Sequence, residues 1–429
     1  MSSKKNARVN RRAAPIDSAA LLGRFLDPGV HTINLLLTTA CNFRCSYCYQ
    51  TRGLPREMPA EVVDVAIRRL AASRVDTPRL TLLGGEPLHS PRLVRLVLDQ
   101  VRRRAPRRMR PEVRIATNGV LLDERMTRLL VNRGVHIDLS CDGVATSQAA
   151  RAQGTFANLD NLLVRLRADH PGHFRQRLRV MATLNSRNLI HLAESVCYFL
   201  SRGVSDIGVV PVITHDPGWD AQCRDELDRQ FARIVQASTE EHAVSGEVPF
   251  RAFRNSPTRR LLRSAGAQLC SAARRGFLFV DVDGTISPCA AMVGSCLPHP
   301  PPLLGEVMAS LGGCHVADQD LEKKLAARER RAATLPLLTG ALASHDNLDR
   351  CAACELAGVC RICPASIGFS HQATGSDRKP AIQCDFNRLV EKHRVVFHRL
   401  VREKAAPASS SGPNTARRNH SQTAKMPAA

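Results

Sequence analysis

The feature that most constrains this chain is a regular alternation of strand-like and helix-like segments that begins at residue 32. HTINLLLTTA reads as a buried strand and is followed by a cysteine-rich loop. AEVVDVAIRRLAAS (60–73) has helical spacing, RLTLLGG (79–85) is a strand ending in glycines, and PRLVRLVLDQVRRR (91–104) is a helix. The pattern repeats through EVRIATNG (112–119), DERMTRLLVNRG (123–134), VHIDLSCDG (135–143), FANLDNLLVRLRAD (156–169) and LRVMATLN (178–185). It closes with LIHLAESVCYFLSRG (189–203), VSDIGVVPVI (204–213) and ELDRQFARIVQAS (226–238). Strands rich in Val, Ile and Leu joined by helical crossovers imply a parallel sheet. Six units fall short of a closed eight-fold barrel, so an α/β fold with a partial, open (β/α)6 barrel is expected over 31–240. Chemistry should sit at the C-terminal ends of the strands. The polar and glycine-rich segments Cys41–Cys48, Gly84–Pro87, Thr117–Gly119 and Ser140–Gly143 fall there.

Beyond about residue 240 the pattern changes. GFLFVDVDGTISPC (276–289) reads as a β-hairpin turning at Asp283-Gly284. Loops and cysteines dominate 290–384, so a small metal-stapled domain is expected over 265–390. Residues 1–30 read as a basic N-terminal segment and 405–429 as a disordered, basic, low-complexity tail.

Hydrophobic residues make up 44% of the 429, which excludes wholesale disorder. Aromatics are only 4%, so stacking platforms for single-stranded nucleic acid are scarce. No apolar run reaches the ~18 residues of a spanning helix, and the basic N-terminus lacks the apolar core of a secretory signal. A cytoplasmic chain with no membrane partner is expected. Net charge is +22, concentrated in both tails and in 91–114, where nine arginines face Asp99 and Glu112. Such a field favours an acidic partner, nucleic acid or acidic peptide, although the arginine excess is equally consistent with compositional bias.

The fifteen cysteines are clustered, which in a reducing compartment points to metal rather than disulfides. CNFRCSYCYQ places Cys41, Cys45 and Cys48 as C-x3-C-x2-C. Three thiolates leave one iron of a [4Fe–4S] cube without a protein ligand, and an open site is reactive; a zinc site completed by a distant residue is the plainer alternative. With Gly84-Gly85-Glu86-Pro87 after the second strand, this motif resembles the radical S-adenosylmethionine (SAM) superfamily. That resemblance implies a cube held by Cys41, Cys45 and Cys48 whose open iron takes the amino and carboxylate groups of SAM. One electron would split the sulfonium and release a 5′-deoxyadenosyl radical. It also implies that Gly84, Gly85, Glu86 and Pro87 meet the SAM amino group, and that Tyr47 lies near the adenine unless it is a core aromatic. Thr117, Asn118 and Gly119 match a loop approaching SAM, and Ser140 matches a ribose-contacting serine. Arg151 falls where relatives carry an arginine near the SAM carboxylate, and Asn185 could reach the ribose; solvated loop-end roles are the alternative for both. Cys141, Cys197 and Cys223 read as ordinary buried thiols.

The remaining cysteines read Cys270-x13-Gly284-x4-Cys289, Cys351-x2-Cys354-x5-Cys360-x2-Cys363 and Cys384. This resembles the SPASM domain found behind the barrel in radical SAM enzymes that modify peptides, departing from it only where Cys360-x2-Cys363 is one residue short. The resemblance implies a closed auxiliary [4Fe–4S] cluster on Cys351, Cys354, Cys360 and Cys384, and a second on Cys270, Cys289 and Cys363. Its fourth ligand is open between Cys296 or Cys314, an oxygen ligand, and a vacant position for substrate. Zinc-ribbon ligation of the four-cysteine set is the simpler alternative.

The function implied is radical modification of a residue in a ribosomally made peptide or protein, with auxiliary clusters accepting an electron as a bond forms. Expected partners are a peptide with an acidic leader, an electron donor such as flavodoxin or ferredoxin, and a separate leader-recognition protein. The arginine-rich 91–114 region is a candidate leader dock. Sulfatase maturation is an alternative, weakened because Ala290 stands where such relatives carry an aspartate base. RNA modification is another, raised by the charge and opposed by the low aromatic content, so nucleic acid is not the expected partner.

Overall fold

The computed structural model describes residues 31–51, 53–254, 276–311, 313–332, 356, 363–375 and 380–405. Six parallel strands form the expected open barrel: β1 (Thr32–Leu36), β2 (Arg79–Leu83), β3 (Glu112–Thr117), β4 (His136–Ser140), β5 (Leu178–Leu184) and β6 (Ile207–Pro211). Each is a Val-, Ile- or Leu-rich run shorter than its sequence signal, because the polar C-terminal part of each segment leaves the sheet as a loop.

Three further strands extend the same sheet. β7 (Phe277–Val280) and β8 (Thr285–Ser287) are the expected hairpin, and β9 (Cys314–His315) pairs with β8. The hairpin is not a layer of its own. β7 runs parallel to β1, with Thr32 opposite Phe277 and Leu35 opposite Val280, and the Asn34 amide donates to the Leu278 carbonyl at 3.1 Å. The sheet order is therefore β6-β5-β4-β3-β2-β1-β7-β8-β9.

The crossover helices follow their apolar spacing. α1 (Ala60–Ala71) buries Val63, Ala66, Ile67 and Leu70, and α2 (Pro91–Arg104) starts on a proline and buries Val94, Val97 and Leu98. α3 (Glu124–Asn132) is capped by Asp123, whose carboxylate accepts from the Met126 amide at 2.7 Å. Two short helices that the spacing did not reveal follow, α4 (Ala145–Arg151) before α5 (Phe156–Asp169), and α6 (Pro171–Arg177) after it. α7 (Leu192–Ser201) packs on the sheet through Leu192, Ala193, Val196 and Phe199. Cys197 points away from that face and is exposed, and Cys223 is only half-buried, so neither is the core thiol expected; Cys141 is one.

α8 (Ala221–Ser245) is longer than its apolar core because both ends are capped. The Asp220 carboxylate receives the Cys223 amide at 2.9 Å, and Gly246 closes the helix with φ +71°. The C-terminal region adds α9 (Pro302–Leu311), α10 (Leu321–Ala332), α11 (Pro364–Thr374) and α12 (Ala381–Ala405). α12 crosses the expected domain limit at 390 and lies along α8. Phe231 meets Phe386 with ring centroids 5.7 Å apart, Phe397 stacks on Phe253 at 5.3 Å, and Lys392 pairs with Asp228 at 2.7 Å. Trp219 and Gln383 add hydrogen bonds to Asp385 and the Val212 carbonyl. Among the described residues, no helix is long and apolar enough to cross a membrane.

Phe231 is fully buried between Phe250, Phe386 and His393. Phe231→Ala should cost about 3–5 kcal/mol in denaturant unfolding. It should also speed amide exchange across 381–405 more than across β1–β6; equal acceleration everywhere would contradict the docking of α12 on α8.

Candidate active site at the strand ends

The first cysteine of the loop, Cys41, follows five residues after β1 ends at Leu36. Its conformation is set by backbone contacts with the segment after β2. The Gly85 amide donates to the Thr38 carbonyl at 2.8 Å and the Glu86 amide to the Ala40 carbonyl at 2.7 Å. A Cβ on Gly85 would lie 2.4 Å from the Ala40 oxygen, and one on Gly84 would lie 2.9 Å from the Thr38 oxygen. The two glycines are therefore required by the approach of one backbone to another.

Glu86 is 1% exposed. One carboxylate oxygen accepts from the Leu88 amide at 3.0 Å and the Thr117 hydroxyl at 2.7 Å; the other accepts from the Asn118 amide at 2.7 Å. Burial pushes its pKa up, with these three donors opposing. A carboxylate offers about four acceptor positions, so one remains. The Asn118 side chain closes the circuit by donating to Asn42 in the cysteine loop at 2.7 Å.

A second group holds the far end of the loop. The Tyr47 hydroxyl donates to Asp142, and Arg151 lies over the Tyr47 ring, 5.5 Å from its centroid. Arg151 also pairs with Asp142 at 2.8 Å and reaches the Thr183 hydroxyl at 3.3 Å. Burial opposes the charge on Arg151, but Asp142 and Tyr47 outweigh it. Burial, reinforced by Asp142, holds the Tyr47 hydroxyl above its ordinary range and so protonated. The Arg151 Nε has no hydrogen-bond partner. Ser46 fastens the loop to the Ala150 carbonyl at 3.0 Å.

These contacts surround a cavity of about 340 Å3 at the C-terminal ends of β2 to β6, as the barrel rule expects. Cys41, Cys45, Cys48, Tyr47, Gly84, Gly85, Glu86, Thr117, Asn118, Ser140 and Arg151 all line it. Pro87 does not; it starts the short 3-10 turn behind Glu86. Asn185 does not either: its side-chain Oδ1 accepts from the Arg187 amide at 2.9 Å, while its buried Nδ2 has no partner among the described residues. Burial raises the Cys45 thiol to about 11, against the pull of Arg151. Among the described residues, no three His, Cys, Asp or Glu side chains converge tightly enough to hold a single metal ion. The three thiols line one cavity, an arrangement that suits a cube in which each iron takes its own thiolate. Three soft donors, one spare carboxylate position and one spare guanidinium donor fit such a cube with an amino-acid ligand.

Sequence reasoning missed Asp142, the hub of the Tyr47–Arg151 group, although it sits in the quoted LSCDG run. It also missed Tyr49, which lines the cavity and packs on the C-terminal apolar cluster with Cys289 and Cys363. Cys296 is buried, its thiol pushed up to about 12 by burial. Cys384 lies in the first turn of α12, beside the Gln383 that bonds Val212 of the cavity wall. Cys270, Cys351, Cys354 and Cys360 lie outside the described residues.

Comparison with known proteins follows the same lines. Residues 35–207 match the sequence profile of the Radical SAM superfamily. The GTP 3′,8-cyclase of Mycobacterium sp. (strain KMS) is 34% identical over 124 residues, 28% of this chain and 34% of that protein. The chain thus spans about a third of the length of the first curated relatives it matches. The GTP 3′,8-cyclase of Synechococcus sp. (strain CC9902) is 28% identical over 288 residues, 60% of this chain and 78% of that protein. Among solved structures, anSMEcpe with bound AdoMet has the same fold, with a TM-score of 0.65, 15% identity and coverage of 86% of this chain and 98% of that one. Streptococcus suis SuiB bound to the precursor peptide SuiA has a TM-score of 0.52, 13% identity and coverage of 85% and 77%. The match over residues 35–207 supports a radical SAM domain, the family whose members are enzymes that work with a [4Fe–4S] cluster and SAM.

Proposed function

We propose that this chain modifies a residue of a ribosomally made peptide or protein by SAM-dependent radical chemistry. The observation that carries this is the convergence of the three thiols, the Gly84–Glu86 turn, Ser140 and Arg151 on one cavity. Cys41, Cys45 and Cys48 would hold the cluster. Glu86, through its remaining acceptor position, would receive the SAM ammonium, and Arg151, through Nε, the carboxylate. Tyr47 would flank the adenine and Ser140 the ribose, with Asn185 behind it. When bound, the cluster and SAM supply hydrogen abstraction by a 5′-deoxyadenosyl radical. The protein's own part is to keep Tyr47 protonated against Asp142, keep Arg151 charged, and line the cavity with the apolar side chains of Val210 in β6 and of Val212 and Ile213 just beyond it.

The peptide part of the reading takes support from neighbours of like fold, anSMEcpe with its Cp18Cys peptide and SuiB with SuiA. Auxiliary clusters on Cys351, Cys354, Cys360 and Cys384, and on Cys270, Cys289 and Cys363, belong to the same proposal. The shared apolar surroundings of Cys289 and Cys363 favour the second grouping. Cys296, which with Cys289 acts electrostatically on Tyr49, is favoured over Cys314 as its fourth ligand. A small SPASM-type domain over 265–390, a flavodoxin or ferredoxin donor and a separate leader-recognition protein complete the reading. A nucleotide substrate is the second reading, favoured by the match to the Synechococcus GTP 3′,8-cyclase.

The acidic-leader dock at 91–114 acquires a geometric constraint. Arg104 is committed to Asp64, and Arg108 to Asp76 at 3.1 Å, which leaves Arg102 and Arg103 at the end of α2 and Arg107 just beyond it as exposed cations. A crossover helix runs back against its strands, so this end lies on the opposite face of the barrel from the cavity. Five-residue strands at about 3.3 Å per residue set the faces about 17 Å apart. A leader docked there must span at least that distance.

Anaerobically reconstituted protein should contain about twelve irons and twelve sulfides if all three clusters form, against two or three zinc ions for a purely structural metal protein. With dithionite it should release 5′-deoxyadenosine, and Cys45→Ala should reduce this to background. An acidic-leader peptide should stimulate release and gain a mass change, whereas GTP, tRNA and a sulfatase-derived peptide should not. Stimulation by GTP alone would replace the peptide reading. Charge reversal of Arg102 and Arg103 should weaken leader binding more than tenfold at low salt; unchanged affinity would remove the dock. Gly85→Ala should lower deoxyadenosine formation at a stability cost of about 1–3 kcal/mol, while Gly53→Ala, with open space around it, should alter neither.

A further inference from the structure

A second cavity, of about 540 Å3, is lined by none of Cys41, Cys45 and Cys48 and lies between the β7–β8 hairpin, the segment from Met292 to Pro298, and helices α9 and α10. Its distinguishing group is Arg328. α10 buries Leu321, Leu325, Arg328 and Ala332, successive positions of one helix face. Three are apolar as the spacing requires; the other is an arginine with 2% exposure. Among the described residues, neither its Nη1 nor its Nη2 has a hydrogen-bond partner. A guanidinium remains charged and carries five donors, so burying it unpaired is unfavourable unless an anion completes it.

The other charged groups of the cavity do not serve. Asp281 accepts from the Val282 amide at 2.6 Å, the Ser295 amide at 2.9 Å and the Ser295 hydroxyl. Asp283 accepts from the Thr285 amide at 2.9 Å and pairs with Arg56 at 3.7 Å. Outside the lining, Cys314 and Glu329 act attractively on Arg328 and Arg331 repulsively, none as a hydrogen-bond partner. The carboxylates are satisfied and one cation is not. The rest of the lining is mixed: Ile286, Met292, Met308 and Leu311 form an apolar part beside Thr285 and Ser287, and Leu54, 88% exposed, belongs to it too.

We propose that this cavity binds a carboxylate, with Arg328 as its buried anchor, and that the ligand is an acidic side chain flanked by apolar residues in the peptide substrate. The peptide source rests on the function proposed above; the need for an oxyanion rests on Arg328 alone. Arginine pairs bidentately with a carboxylate, and the apolar part of the lining, Ile286, Met292, Met308 and Leu311, favours an acidic side chain with apolar neighbours over a small free anion.

The test uses full-length, anaerobically reconstituted protein with SAM and no reductant, so that no turnover occurs. Calorimetry would compare acetyl-Leu-Glu-Leu-amide with acetyl-Leu-Gln-Leu-amide, glutarate and inorganic phosphate. The Glu peptide should bind at least about tenfold more tightly than the Gln peptide. Arg328→Gln should erase that preference and Arg328→Lys should weaken it. Should Arg328→Gln fail to fold, mass-mapped phenylglyoxal labelling of Arg328 in the native chain should be blocked by the Glu peptide and not by the Gln peptide. Equal binding of the two peptides, a preference retained in Arg328→Gln, or equal labelling with both would overturn the proposal. Phosphate competing better than glutarate would also overturn it, in favour of an inorganic anion. A chain that discriminates the peptides yet releases no deoxyadenosine would lose the proposed function and keep this site.

Discussion

The approach of the Gly84–Gly85 backbone to the peptide groups of Thr38–Ala40 is the contact on which the site depends. It joins the ends of β1 and β2 without intervening side chains, immediately before the first thiol. From there Glu86 carries the connection to Thr117 and Asn118 at the end of β3, and Asn118 returns it to Asn42. The bonds to Glu86 in this circuit are buried, the kind that fix a loop firmly because an unmade bond there is costly, and the closing bond to Asn42 is half-buried. The cysteine loop therefore owes its shape to neighbours in the sheet rather than to its own sequence. The Tyr47–Asp142–Arg151 group does for the other end of the loop what the glycine turn does for its start.

Much of this was legible in the sequence because the informative residues are local. Strand and helix alternation, glycines at strand ends and the C-x3-C-x2-C spacing each occupy a few consecutive positions. What escaped was long-range. Nothing in FLFV reveals that it lies beside β1, because pairing across 244 residues leaves no periodic trace. Asp142 reads as an ordinary turn residue until Tyr47 and Arg151 are brought to it. The expectation of a buried Cys197 failed on orientation: the helix was read correctly, but the thiol sits on the face opposite Val196 and Phe199. α12 was legible and unread; Ile382, Phe386, Val390 and Phe397 carry a helical stripe that a search for cysteine spacing passes over.

The charge of the chain divides into two kinds. Most arginines are surface groups, many paired with carboxylates, and their sum is a field rather than a site. Arg114 and Arg179 converge on Asp138 at 2.5 and 2.6 Å and act as structural fasteners between β3, β4 and β5. Arg151 and Arg328 differ because burial makes each of their donors count. Arg151 finds a carboxylate within the fold and keeps only Nε for a ligand; Arg328 finds none among the described residues, so both of its terminal nitrogens are left for something brought from outside.

The parallel pairing of β7 with β1 places β1 at an interior position of the sheet, with the barrel on one side and the hairpin on the other. A chain shortened after residue 254 would keep all six barrel strands yet present the flank of β1 to solvent as an uncovered row of amides and carbonyls. Such an edge recruits strands from neighbouring copies. The shortened barrel would accordingly be a self-associating species, and the C-terminal third of the protein is, whatever else it binds, the cover that keeps the first strand from templating aggregation.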